Sequence, residues 1–149
     1  MNNDFVLSRE RMLHLMDLGV CVWGAGLCWV NDLTRELERK WFLRVFTEHL
    51  REKAERANDR TLYVPAFTMS ELMDAIPKHV FIDGQRSLMI DYDNNEVGYF
   101  GFDYKLGECN VTGTDDFDTD APMMDKLYSL LCWAVKKGLV NTQSSVKKE

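Results

Sequence analysis

The residues best suited to catalysis are four cysteines and three histidines, namely Cys21, Cys28, Cys109, Cys132, His14, His49 and His79. Nucleophilic catalysis needs a thiol or hydroxyl beside a histidine, which a carboxylate orients. The sequence contains no Cys-x-x-Cys pair, no Gly-x-Ser-x-Gly elbow and no His-Glu-x-x-His helix. We therefore predict no catalytic residue and interpret the cysteines as free, buried thiols. A site assembled from residues scattered along the chain remains an open alternative.

The run Asp116-x-Asp118-x-Asp120 resembles the opening of a calcium-binding loop. Such a loop needs glycine at its sixth position and a bidentate glutamate at its twelfth, where this chain has Ala121 and Leu127. We therefore predict no metal ligands and interpret this run as a solvated acidic loop before a helix.

The pair Gly24-x-Gly26 follows an apolar stretch, as a dinucleotide-binding loop would. The third glycine of that motif would fall at Trp29, whose side chain is too large for close approach of a pyrophosphate. The pair predicts a bend between strands, and we expect no cofactor.

Length and composition exclude several classes of protein. The chain has 149 residues, 46% of them hydrophobic and 28% charged, which fits neither disorder nor a membrane protein. With 18 basic and 24 acidic residues the net charge is -6, so direct binding of nucleic acid is not expected. The first five residues predict no signal peptide, and the most apolar run, residues 18–30, is too short to span a membrane. We expect a cytoplasmic location.

Helix signals occur at several places. Ser8 and Met12 fit a capped first helix that ends at Gly19, and Thr68 with Glu71 forms a capping box for a short helix ending at Pro77. From Asp32 to Ala57, apolar residues recur every three or four positions, which predicts one long amphipathic helix. Its opposite face carries seven basic and five acidic residues, and a break near Arg44 is the alternative. A last helix is predicted from near residue 120 to residue 138.

Strands are predicted between these helices. Short strands are expected around 20–30 and at 61–65, where Pro65 favours an edge strand or a strand terminus. Residues 80–112 alternate in a way typical of an antiparallel meander, with a tight hairpin at 93–96. We expect the helices to cover the face that bears Phe100, Phe102 and Tyr104.

Two features suggest an interaction surface. Trp41 and Phe42 are large aromatic residues on the predicted long helix, and would form an interface if exposed. The segment from residue 83 to residue 125 has eleven acidic and two basic residues, which could attract a basic partner or imitate a phosphate backbone. Solubility and protection of strand edges are the simpler interpretation. The candidate residues are Trp41, Phe42, Asp91, Asp93, Asp115, Asp116 and Asp118.

Two segments carry a resemblance, VPAFTMSELMDAIP at 64–77 and DKLYSLLCWAVKKG at 125–138. With the meander between them, they resemble a set of short proteins, of no known activity, encoded by phages and integrated elements of gut bacteria. The resemblance covers residues 61 to 140, and the charged segment from Asp32 to Ala57 departs from it. It implies an origin in a mobile element and assigns a role to no residue.

The sequence therefore predicts an α+β fold, with a small antiparallel meander of three to five strands packed against three or four helices. We expect one domain over residues 1–140 and a flexible tail over 141–149. The favoured function is a non-enzymatic protein-interaction module, whose partner is a host or phage protein and which could form a homo-oligomer. The alternatives are a small-ligand-binding protein or enzyme with an unrecognised pocket, and an acidic mimic of nucleic acid.

Overall fold

The computed structural model describes residues 5–31, 41–81, 84–103, 108–112 and 122–141. Within these residues, four helices and seven strands form an α+β fold with one three-stranded and one four-stranded antiparallel sheet, which confirms the predicted fold class. The chain divides between Glu71 and Leu72 into two compact units. The single domain over 1–140 and the tail over 141–149 stay predictions.

The three-stranded sheet belongs to the first unit. Its strands are β1 (Leu27–Asn31), β2 (Trp41–Val45) and β3 (Tyr63–Ala66), in the order β2-β1-β3. The central strand β1 pairs antiparallel with both neighbours. Pro65 therefore lies on an edge strand, as expected for a residue that has no backbone N–H to donate.

The first helix, α1 (Arg9–Asp17), begins and ends where the sequence predicts. The Ser8 hydroxyl accepts a hydrogen bond from the Arg11 backbone N–H at 3.3 Å, and Met12 is fully buried. Gly19, with φ of 88°, reverses the chain after the helix. A cap and a positive-φ glycine thus fix both ends locally.

The prediction of one continuous helix from Asp32 to Ala57 is wrong for residues 41–47 and right for residues 48–57, so the alternative of a break near Arg44 is the closer one. Residues 41–45 form strand β2, and the helix α2 begins only at Glu48 and ends at Ala57. Thr47 separates the two elements, because its hydroxyl accepts a hydrogen bond from the Leu50 N–H at 3.2 Å and so caps a new helix. The run of aromatic and branched residues before this cap favours a strand once β1 offers a partner.

The capping box is confirmed. Thr68 donates its backbone N–H to Glu71 Oε1 at 2.9 Å, and the Glu71 N–H donates to Thr68 Oγ1 at 3.3 Å. The helix that follows, α3 (Met69–Ala75), is short and ends before Pro77, as predicted.

The predicted meander is confirmed in the second unit. Strands β4 (His79–Phe81), β5 (Gln85–Asp91), β6 (Glu96–Asp103) and β7 (Glu108–Thr112) are neighbours in chain order. Asn95 takes a φ of 52° in the connection between β5 and β6, a conformation that Asn tolerates better than most residues.

The last helix, α4 (Met123–Lys136), packs on the opposite face of β6 from the one predicted. Val97 and Tyr99 are buried whereas Phe100 is only half-buried, and the Tyr99 and Trp133 rings lie 5.9 Å apart. The Tyr99 hydroxyl donates to the Pro77 carbonyl at 2.7 Å, so this residue can be buried without losing a hydrogen bond. Phe102 and Tyr104 have no described side chains.

A helix needs about 20 largely apolar residues to cross a bilayer. The helices of the described segments fall short of this requirement, since α4, the longest of them, has 14 residues.

Candidate functional site

An open groove of about 560 Å³ lies between the three-stranded sheet and helix α2. Residues of the sheet line one side of the groove, and residues at the beginning of α2 line the other. The lining residues are Val30, Arg44, Val45, Thr47, Leu50, Lys53 and Tyr63. The groove lies entirely within the first unit, so one small sheet and one helix are sufficient to form it.

The strand register places three of these residues on one face of the sheet. Val30 is directly opposite Tyr63 on one side, and Arg44 is directly opposite Cys28 on the other. Since Cys28 and Val30 are two positions apart on β1, their side chains point to the same face. This face supplies the half-buried Val30 and Tyr63, with Arg44 exposed at the β2 side.

Arg51 holds helix α2 beside the sheet. Its Nη2 atom donates to the carbonyls of Ala25 and Phe46 at 3.1 and 3.2 Å, and its guanidinium lies 5.0 Å from the centre of the Phe46 ring. These hydrogen bonds hold the beginning of α2 against the backbone at Ala25 and Phe46, both of which precede the helix. Arg51 is thus a structural residue, in contrast to the cations that line the groove.

The charge of the groove is positive. Arg44 and Lys53 are exposed, and none of the described residues that line the groove is acidic. The remaining lining is apolar or hydroxylic, with the exposed Val45 and the half-buried Leu50 beside the Tyr63 ring. Such a surface suits a ligand that combines negative charge with apolar groups.

The two aromatic candidate residues lie next to this groove on strand β2. Trp41 and Phe42 are half-buried, and neighbouring positions on a strand point to opposite faces. Trp41 lies under the Arg9 guanidinium, 4.5 Å from the ring centre, and Phe42 shares the face of Arg44. The structure therefore places them on a strand, where they cannot form a single aromatic patch.

The acidic candidates are only partly described. Asp93 is exposed, whereas Asp91 accepts hydrogen bonds from the Asp93 and Asn94 backbone N–H groups and from Asn94 Nδ2. The side-chain hydrogen bond from Asn94 is the main reason that the pKa of Asp91 is lowered. Asp91 is therefore engaged in its own turn. Asp115, Asp116 and Asp118, together with the calcium-like run, lie outside the described residues.

Among the described residues, no group of histidine, cysteine and acidic side chains could hold a metal ion. Cys28 is fully buried, and this burial raises its pKa to about 11, so that its thiol stays protonated near neutral pH. His79 Nδ1 lies 3.1 Å from Ser87 Oγ, as a cross-strand pair in which both residues are exposed. Within the described segments this histidine has no carboxylate partner to orient it.

The glycine pair at 24–26 forms a bend, and the backbone N–H of Gly26 already has a hydrogen-bond acceptor. The Gly26 N–H donates to Glu71 Oε2 at 2.7 Å. A Cβ atom at Gly26 would lie 3.7 Å from the same oxygen, which is ordinary contact, and one at Gly24 would meet nothing within 4 Å. The prediction that this pair is a bend rather than a phosphate cradle agrees with that geometry.

Comparisons with protein-family models, with curated proteins and with solved structures find no match for this chain. The groove is therefore the feature of this chain from which a function can be inferred. The sequence pattern does not reveal this site, because its helical spacing places Arg44 and Lys53 on one solvated face of a long helix. The available signal was Thr47, a strong N-cap residue that follows a short run containing the strand-favouring residues Phe42, Val45 and Phe46.

Proposed function

We propose that this chain is a non-enzymatic protein-interaction module that binds an acidic, extended segment of a partner protein in the groove beside α2. The observation that carries this proposal is the described lining, which has two exposed cations and several apolar side chains, with no acid among the residues that the structure describes there. Carboxylates of the partner would approach Arg44 and Lys53, and apolar side chains between them would contact Leu50 and Tyr63.

The open shape of the groove favours a peptide segment. It lies along strands, where an extended chain presents side chains every second residue to the same surface. The molecule as a whole carries a charge of -6, so long-range electrostatics oppose an acidic partner. Electrostatic attraction between the groove and the peptide must therefore act at short range. We expect specificity to come from the positions of the peptide carboxylates relative to Arg44 and Lys53.

The resemblance over residues 61 to 140 motivates the choice of a phage or host protein as the partner. The proposed compartment is the cytoplasm, because the described cysteines are free and thiols persist in a reducing environment.

The test uses a short fluorescent peptide in which Asp and Glu alternate with Leu and Phe, titrated with the full chain. We expect saturable binding that weakens as salt is added. A matched peptide with Asn and Gln in place of the acids should bind much less. Lys53→Glu replaces an attractive charge in the groove by a repulsive one. We expect it to weaken binding about tenfold, which corresponds to about 1.4 kcal/mol.

Arg56→Glu is the matched control. Arg56 is exposed on the same helix, outside the groove lining, so this variant changes the total charge equally. Unchanged binding by Arg56→Glu together with a loss in Lys53→Glu supports the groove. Equal losses in both variants would attribute binding to overall charge, and absence of any saturable binding would refute the proposal.

A small ligand is the second candidate, because a volume of about 560 Å³ lies in the range of small-molecule sites. An aromatic carboxylate such as benzoate is a suitable probe for it. Saturable benzoate binding that Lys53→Glu removes, without peptide binding, would favour this alternative.

A further inference from the structure

The edge strand β2 presents outward-facing backbone groups at regular positions. The Phe46 N–H donates to the Gly26 carbonyl at 2.8 Å, and this pair continues the register in which Val45 is opposite Leu27. It is therefore a hydrogen-bonded pair, and such pairs alternate along an antiparallel ladder. It follows that residues 42 and 44 bond to β1, whereas residues 41, 43 and 45 direct their N–H and C=O groups away from it.

The two edges of this sheet differ in their protection. The four residues of β3 include Pro65, and the last three are buried. Strand β2 contains no proline or glycine, and Arg44 is its only charged residue. Val45 is 67% exposed, and Trp41 and Leu43 are half-buried. Proteins usually protect an edge with charge, proline or a bulge, so an exposed apolar edge is suited to pairing with another strand.

We propose that a second copy of this chain pairs with β2, antiparallel and edge to edge, with the two Leu43 residues facing each other on a two-fold axis. In this register the outward groups match. Leu43 exchanges both hydrogen bonds with Leu43 of the second copy. Trp41 pairs in the same way with Val45 of the second copy, whose carbonyl oxygen also accepts the Thr47 N–H of its own chain at 3.0 Å and would use its second lone pair for Trp41.

The side chains support the same register. Trp41 faces Val45 across the pair, an aromatic and β-branched combination that stabilises sheets. Phe42 faces Arg44, so a guanidinium lies beside an aromatic ring and the two Arg44 residues do not oppose each other.

Shifted registers fit less well. A shift of one pair toward the C-terminus sets Arg44 opposite its own copy, where like charges destabilise pairing. A shift toward the N-terminus leaves Val45, the most exposed apolar residue of the strand, without a described partner. The register centred on Leu43 alone pairs all five residues of β2 while avoiding the charge conflict.

The proposed dimer has a consequence for the groove. A two-fold axis perpendicular to the sheet keeps equivalent faces on the same side, so the strands would follow in the order β3-β1-β2-β2-β1-β3. Both grooves would then open on one face of a six-stranded sheet. The dimer goes beyond the proposed function, because either could exist without the other.

The experiment measures molecular mass by sedimentation equilibrium for the full chain. We expect a mass twice that of one chain for the wild type, and a monomer for Leu43→Glu and for Leu43→Lys, because each sets like charges on the axis. An equal mixture of these two variants should restore a dimer, since the opposed charges then attract. A wild-type monomer would overturn the proposal, and so would a dimer that persists in both variants.

Two further variants separate loss of pairing from loss of folding. Val45→Glu alters a largely exposed side chain of β2 and should weaken the dimer while leaving the circular dichroism spectrum unchanged. Phe81→Glu is the matched control, since Phe81 is a 78% exposed residue on a strand at the edge of the other sheet. A dimer that Phe81→Glu disrupts and Val45→Glu does not would overturn the proposal and assign the interface to that other sheet.

Discussion

The Glu71 side chain makes both a local contact, to Thr68, and a long-range contact, to Gly26. One of its carboxylate oxygens accepts hydrogen bonds from the Thr68 backbone and hydroxyl, and the other accepts one from the Gly26 N–H. The first pair follows from the sequence spacing, whereas the contact to Gly26 spans 45 positions. A single side chain thereby caps helix α3 and fixes the bend that precedes β1.

Replacing Glu71 should measure what these two contacts contribute together to the free energy of unfolding. Glu71→Ala removes both acceptors and should lower the free energy of unfolding by about 2 kcal/mol, from a lost cap and a lost charge-assisted bond. Glu71→Gln keeps one acceptor oxygen and should cost about half as much. Urea denaturation of both variants checks this ranking. Equal stability of Glu71→Ala and the wild type would show that neither bond matters.

At the scale of elements, the segment from Trp41 to Ala57 shows the limit of periodicity. Its apolar residues fit a helical repeat of three and four, and its first five residues also include Trp41, Phe42 and Val45, which are types that favour strands. Hydrogen bonds to β1 select the strand, and the Thr47 cap then starts the helix. Local pattern alone could not choose between these two structures, because the choice depends on a partner strand.

The end of α2 offers a test at this scale. Asn58 has φ of 46° and ψ of 45°, the left-handed conformation that only glycine adopts without cost. Asn58→Gly should therefore keep or slightly raise the free energy of unfolding. Asn58→Ala should lower it by about 1 kcal/mol, because its Cβ is unfavourable at positive φ.

Thermal denaturation of both variants provides the measurement. The two substitutions remove the same side-chain amide, so their difference isolates the backbone conformation. A less stable glycine variant than alanine variant would contradict this explanation.

At the scale of the whole molecule, each of the two sheets has a buried titratable group among its described residues. Burial raises the pKa of Cys28 in the first unit to about 11 and that of Tyr99 in the second to about 12. Both groups ionise at lower pH in the unfolded chain, from 9.0 and 10.0 respectively. The unfolded state therefore loses protons first as pH rises, and stability present below pH 9 is lost progressively toward pH 12.

We expect the free energy of unfolding to fall by on the order of 1 kcal/mol between about pH 8 and about pH 10.5. Tyr99→Phe removes the contribution of the second unit and should flatten the decline above about pH 10. Urea denaturation across this range measures the slope. An unchanged slope in Tyr99→Phe would show that the buried phenol does not govern alkaline stability. The variant also loses the bond to Pro77, so the comparison concerns slope rather than absolute stability.

The sequence by itself determined the features that depend on neighbouring residues. The Ser8 cap, the Thr68–Glu71 capping box, the edge position of Pro65 and the meander over residues 80–112 follow from hydrogen bonds and conformations a few positions apart. They were predictable because such preferences act whatever the distant chain does.

Tertiary structure decided the rest. It selected a strand and not a helix for residues 41–45. It buried the face of β6 that carries Tyr99, where the face that carries Phe100 was expected, and it brought Arg44 and Lys53 to one groove. Each outcome depends on which distant element supplies hydrogen bonds or covers a surface. The interaction surface predicted around Trp41 and Phe42 was therefore near the candidate site, but its elements and its charged residues emerged only from the folded chain.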